Sequence, residues 1–144
     1  MALGTEELAE AFLACTLPKE QWTHHAHLRV GLWHLLRHGA AEALALLRTR
    51  IQRYNTSRGT ANTDSSGYHE TITRFYVWVI DQFLRSADRH KGIDQLAEDL
   101  IHRCGDPGLP LRYYSRERLF SVLARLQWVG PDLAAMDRLF DPPP

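Results

Sequence analysis

"QWTHHAHLRVGLWHLLRHG", residues 21–39, is written in the alphabet of an amphipathic helix, yet it contains five histidines. Thr23 is a natural N-cap, and Gly39 sits where a helix stops at a C′ position, so the stretch predicts a helix over 24–38. Directly behind it comes "AAEALALLRTRIQRY", 40–54, rich in the strongest helix formers and predicting a second helix that packs back as a hairpin. Two helices joined with almost no linker set the fold class.

Reading outward, no convincing strand pair appears. Thr5 is the expected cap of a first helix running to about Cys15, closed by the "TLPKE" turn. "NTSRGTANTDSSG", 55–67, is a polar loop of a length that is often functional, either a lid or a passive link. After it Tyr68, Ile72, Phe75, Val79 and Phe83 fall on one face of a helix over 68–87, expected to be central. A fifth helix is expected at 93–103 and a sixth from a Ser115 cap to Leu126, with "PDLAAMDRLF" as a short tail. The whole predicts an all-α bundle of about five to six helices in one domain over 1–140, with a frayed Pro-rich end at 141–144.

Composition narrows the classes of function. The 144 residues are enough for a real core without a metal or disulfides to hold it together. Lys plus Arg equals Asp plus Glu, 17 each, so no global field draws in nucleic acid or an acidic membrane surface. Neither partner is expected. Cys15 and Cys104 make no CxxC pair, and no apolar run approaches a membrane span of roughly 18 residues. "MALGTEELAEAF" is acidic where a secretion signal is basic. The expected compartment is the cytoplasm.

His24, His27, Gly31, His34 and His38 are spaced 3, 4, 3 and 4 apart, and therefore form one stripe along the helix. Gly31 leaves a gap in that stripe, which suits either ligand access or a close helix crossing. His24 and His27, an i, i+3 pair in the first turn, have the spacing to ligate one ion. His25, His34 and His38 read as ordinary surface or core histidines, with His34→Ala and His38→Ala expected to be nearly silent.

The second constellation is "SSGYHETITRFY", 65–76, which brings His69 and Glu70 to the start of the most hydrophobic helix. Ser66, His69, Thr73 and Tyr76 share a stripe there. Glu70 has two readings: a site carboxylate, or an exposed ion pair with Arg74 in the favourable i, i+4 order. His24, His27 and His69, with Glu70, would suit Zn, Fe, Mn or Cu. Without a metal, His69 and Glu70 are a candidate catalytic acid/base pair. His27 and His69 are thus expected at one cavity. Tyr68, Thr73, Arg74 and Tyr114 are candidate substrate contacts, with Trp22, Tyr76 and Tyr113 as further aromatic walls. Arg29 and Arg58 join Arg74 as possible partners for an anionic group.

"WTHHAHLRVGLWHLL", "SGYHETITRFY" and "YYSRERLFS" together resemble a poorly characterised group of small bacterial helical proteins. These share T-H-x-x-H-L, Y-H-E-T-[IL]-T and Y-S-x-x-x-L elements, and the similarity spans most of the chain. The resemblance selects His24, His27, Tyr68, His69, Glu70, Thr71, Thr73, Tyr114 and Ser115. It is also similar to domains attached to methyltransferase-like proteins, which implies small-molecule metabolism. Three functions follow: a transition-metal enzyme acting on a small organic substrate, a non-catalytic ligand-binding module, or a structural helical subunit that contacts a partner protein.

Overall fold

The computed structural model describes residues 3–137 and 139. Its seven α-helices are α1 (Thr5–Leu13), α2 (His24–His38), α3 (Ala40–Ser57), α4 (Glu70–Ser86), α5 (Ile93–Cys104), α6 (Arg116–Leu119) and α7 (Val122–Leu126). Two 3-10 turns, Lys19–Gln21 and Leu109–Arg112, serve as connectors, and there is no strand among the described residues. The all-α expectation is met, with more helices than expected. The boundary at 140 and the Pro-rich end at 141–144 lie outside the described residues.

Local chemistry explains the limits. The Thr23 hydroxyl accepts the Ala26 N–H and starts α2 at the expected residue. Gly39 ends α2 at φ 77°, a conformation that strains any other residue, and α3 begins at the very next position. Thr5 is not the cap of α1: Gly4 holds that place, and the Thr5 N–H is satisfied from α5 by the Asp94 carboxylate at 2.7 Å. α3 continues a turn past Tyr54, whose hydroxyl donates to the Leu17 carbonyl at 2.8 Å and pins the helix to the turn after α1. The expected sixth helix is broken in two. Phe120 leaves helical geometry, and Ser121, extended at ψ 155°, caps a new start by accepting the Ala124 N–H. That break accounts for the seventh helix.

α2 contacts α1, α3, α4 and α5, so it shares the centre with α4, which touches α2, α3, α5 and α7. The buried faces meet in one core that includes Phe12, Leu28, Leu32, Phe75, Val79, Phe83 and Leu100. Phe75, Val79 and Phe83 repeat at four-residue intervals, the expected face of α4. At the α2–α4 crossing, a Cβ on Gly31 would stand 2.7 Å from Ile80 Cδ1. Gly31 therefore lets the helices approach there. No helix among the described residues is long and apolar enough to cross a membrane.

The loop into α4 is tied down. Asn62 Oδ1 accepts from Tyr68 N–H and Asn55 Nδ2, while its own Nδ2 donates to the Gln52 carbonyl, each at 3.0 Å. Asn62 thus ties the middle of the loop both to α3 and to the residue two before α4.

Candidate functional site

Between α2, α3 and α4 lies a mostly apolar cavity of about 350 Å³. The first turn of α2 gives it His24 and His27, with Trp22 just before the helix; α3 gives Leu47 and Ile51; α4 gives Ile72, Thr73, Tyr76 and Val77. Gly31 and Ile80 also border it, so the close crossing forms part of its wall.

His27 Nδ1 lies 2.6 Å from the Thr23 carbonyl. A carbonyl only accepts, so Nδ1 carries the hydrogen and Nε2 keeps its lone pair. The ring lies on Trp22, centroid to centroid 3.7 Å. The residue is exposed and borders the cavity; the protein packed around it, against the Thr23 bond and with help from His24, lowers its pKa to about 4. At neutral pH it is an uncharged acceptor.

His24 and Tyr76 meet edge to face, 5.4 Å between centroids. His24 Nε2 and the Tyr76 hydroxyl are both buried, and neither has a hydrogen-bond partner. Burial, then the neighbouring His25, lowers the His24 pKa, with Asp106 and the Gly105 backbone opposing. Burial pushes the Tyr76 phenol well above its ordinary range. His24 and Tyr76 line the cavity as residues, while these two polar atoms, closed to solvent, lie toward Gly105 and Asp106 after α5.

The "YHET" residues lie elsewhere and do other work. His69 is the N-cap of α4: Nδ1 accepts the Ile72 N–H at 3.1 Å, and Nε2 donates to the Leu119 carbonyl at 2.8 Å. With both ring nitrogens engaged, His69 does not join His24 and His27 at the cavity, and neither metal ligation nor proton transfer has a free nitrogen there. Only its carbonyl approaches the cavity wall, accepting the Thr73 hydroxyl at 2.8 Å. Burial lowers the His69 pKa, and Arg125 adds to the effect against the Leu119 bond.

Glu70 is buried, and its partner is Arg48 of α3. Arg48 Nε donates to Oε1 at 2.8 Å and its NH2 to Oε2 at 2.6 Å, while the Tyr68 hydroxyl donates to Oε1 at 2.8 Å. This clamp lowers the Glu70 pKa, the Arg48 bonds leading and desolvation opposing. Both readings of Glu70 thus give way to an interhelical tie. Arg74 instead lies over the Trp128 ring, 4.7 Å from its centroid. Tyr114 is wholly buried and donates to the Val129 carbonyl at 2.6 Å, away from the cavity. Burial raises its pKa to about 12.

Of the expected site residues, then, the structure brings together His24, His27 and Thr73. Tyr68 and Arg74 line a separate polar cleft. Tyr76, read only as a wall, turns out to be the second uncommitted polar group; its place on the His69–Thr73–Tyr76 stripe was the signal. Arg29 reaches Thr5 and the Leu3 carbonyl, and Arg58 reaches the Cys15 carbonyl, so both are tied to the α1 region. His34, taken as ordinary, is fully buried, with Nδ1 donating to the Val30 carbonyl and Nε2 facing Arg50 at 2.9 Å. Its replacement by alanine would take an acceptor from Arg50 and open a void, a cost to stability, while the α2–α3–α4 cavity, which His34 does not line, would keep its walls. His38 stands 3.2 Å from Glu42 near the end of α2.

Among the described residues no group of three or more His, Cys, Asp or Glu side chains is placed to hold one ion. Compared with protein-family models, with curated proteins and with solved structures, the chain gives no match.

Proposed function

We propose that the chain binds a small, largely apolar organic molecule in the α2–α3–α4 cavity, its one polar end between His24 and Tyr76. The observation that supports this is the pair of buried, unpartnered atoms, His24 Nε2 and the Tyr76 hydroxyl. Each costs about 1–3 kcal/mol while unsatisfied, and because both are closed to solvent, a ligand that turns the two side chains toward the cavity and partners both recovers that energy on binding. A ligand hydroxyl both donates and accepts, so it serves either tautomer of His24. Leu47, Ile51, Ile72 and Val77 favour a hydrocarbon or aromatic body.

A catalytic version of this site is favoured by one further observation. The Thr23 carbonyl fixes the His27 tautomer, leaving at the cavity a neutral imidazole with a lone pair on Nε2. With its lowered pKa such a group is a hydrogen-bond acceptor that orients a bound hydroxyl and a weak base, so it takes a proton only from a substrate that is already acidic. The transition-metal reading is left with Nε2 of His24 and of His27, and elemental analysis of protein purified without a histidine tag tests it.

The experiment is a thermal-shift and NMR titration with toluene, phenol and benzyl alcohol. The two hydroxyl compounds are expected to stabilise the fold more than toluene does, with shifts at His24, His27 and Tyr76. Tyr76→Phe and His24→Phe should each erase the preference for the hydroxyl. If none of the three binds at millimolar concentration, or the variants keep the preference, the proposal fails.

A further inference from the structure

A second concavity, of about 420 Å³, lies where α3, the start of α4 and the 125–128 segment meet. Its lining includes three arginines, Arg48, Arg74 and Arg125, and one carboxylate, Glu70. Pairing Glu70 with Arg48 leaves two guanidinium charges in excess on this wall.

Each guanidinium is held in place by the fold. Glu70 grips Arg48 at two nitrogens, with the Tyr68 hydroxyl beside them. Arg74, an exposed residue, lies over the Trp128 ring, a contact that uses none of its N–H donors. Arg125 is anchored through one nitrogen, which donates to the Gly67 carbonyl at 2.8 Å and the Tyr68 carbonyl at 3.4 Å, leaving its Nε and other terminal nitrogen open. These contacts narrow the rotamers open to each side chain and so lessen the entropy an anion must remove. Carboxylate, indole and carbonyls hold the three forks, and Arg74 and Arg125 keep N–H donors for a ligand.

We infer that this cleft is a second binding site, specific for the phosphoryl group of a small phosphate or phosphate ester. Two surplus fixed charges match a dianion, and a tetrahedral group with several terminal oxygens accepts from more than one fork at once. The site uses none of the groups that define the apolar cavity. It stands or falls independently of the proposal above.

The test is an NMR titration of the full chain with sodium phosphate and with phenyl phosphate, against sodium chloride at matched ionic strength. The probes are the Arg74 and Arg125 Nε–H signals and the Trp128 indole N–H, assigned with Arg74→Gln and Trp128→Phe. Saturable shifts are expected with both phosphates and not with chloride; tighter binding of phenyl phosphate identifies an ester, and equal binding a free phosphate. Arg74→Gln should weaken phosphate about tenfold, the loss of one charged hydrogen-bonding partner, while leaving benzyl alcohol affinity unchanged. Arg125→Gln also cuts the tie to Gly67, so Arg74→Gln is the deciding variant. Equal shifts with chloride, a response that never saturates, or an unchanged affinity in Arg74→Gln would overturn the assignment.

Discussion

Acid should loosen this protein well before its carboxylates titrate, and His34 is the residue that dominates the effect. The ring is fully buried; Nδ1 donates to the Val30 carbonyl, and the Nε2 lone pair faces an Arg50 nitrogen at 2.9 Å. Around it stand Phe12 of α1, Trp33 and His38 of α2, and Arg50 of α3. Protonation would convert an accepted hydrogen bond into two facing positive charges. Burial first, then Arg50 and His38, lowers the pKa from 6.5 to about 4, against the pull of the Val30 bond. The unfolded chain therefore takes up this proton at a higher pH than the native one. The stability His34 confers is complete above pH 6.5 and is lost as pH falls toward 4, at about 1.4 kcal/mol per pH unit. The total is about 3 kcal/mol, a large part of the roughly 5–15 kcal/mol that holds a domain together. Urea unfolding at several pH values between 7 and 4, on wild type and His34→Gln, measures it. Glutamine does not titrate, so the two slopes should differ by one proton; His24, His27 and His69 act equally in both chains. Parallel slopes would refute the argument.

Thr71→Val leaves the Gln127 carbonyl and the Val129 N–H without the buried hydroxyl that serves both; we expect about 1–3 kcal/mol of lost stability, with faster amide exchange over 122–129. Unchanged exchange there would show that the hydroxyl is dispensable. Glu70→Gln should cost about 1–2 kcal/mol by weakening the clamp on Arg48 and Tyr68, yet leave benzyl alcohol binding in the apolar cavity unaltered. A folded Glu70→Gln protein that no longer binds the alcohol would return Glu70 to that site.

How far the sequence could be read depended on how far away each partner lay. α2 was legible to the residue because its determinants, Thr23 and Gly39, are part of the same stretch. The break after Leu119 was not, since "RERLFSVLARL" is periodic throughout and only Ser121 turning to cap Ala124 divides it. The same holds for the site. His24 and His27 could be paired from spacing alone, whereas the fates of His69 and Glu70 depend on Leu119 and Arg48, 50 and 22 positions away. A dense polar motif resembled chemistry and proved to be a fastening. Arg48 and Arg125 have the look of any surface arginine until the cleft between them is seen.

That fastening has a consequence during synthesis. The start of α4 is completed by groups that come far later: His69 by Leu119, and Thr71 by Gln127 and Val129, separations of 50, 56 and 58 residues. At about 5–20 residues per second, a ribosome needs roughly 3–12 seconds to supply them. Late in that interval the nascent chain has α1 to α5 but neither the His69 acceptor nor the strap across Thr71. The polar start of α4 stays unfinished, and the guanidinium cleft, which needs Arg125 and Trp128, cannot form until both have been made.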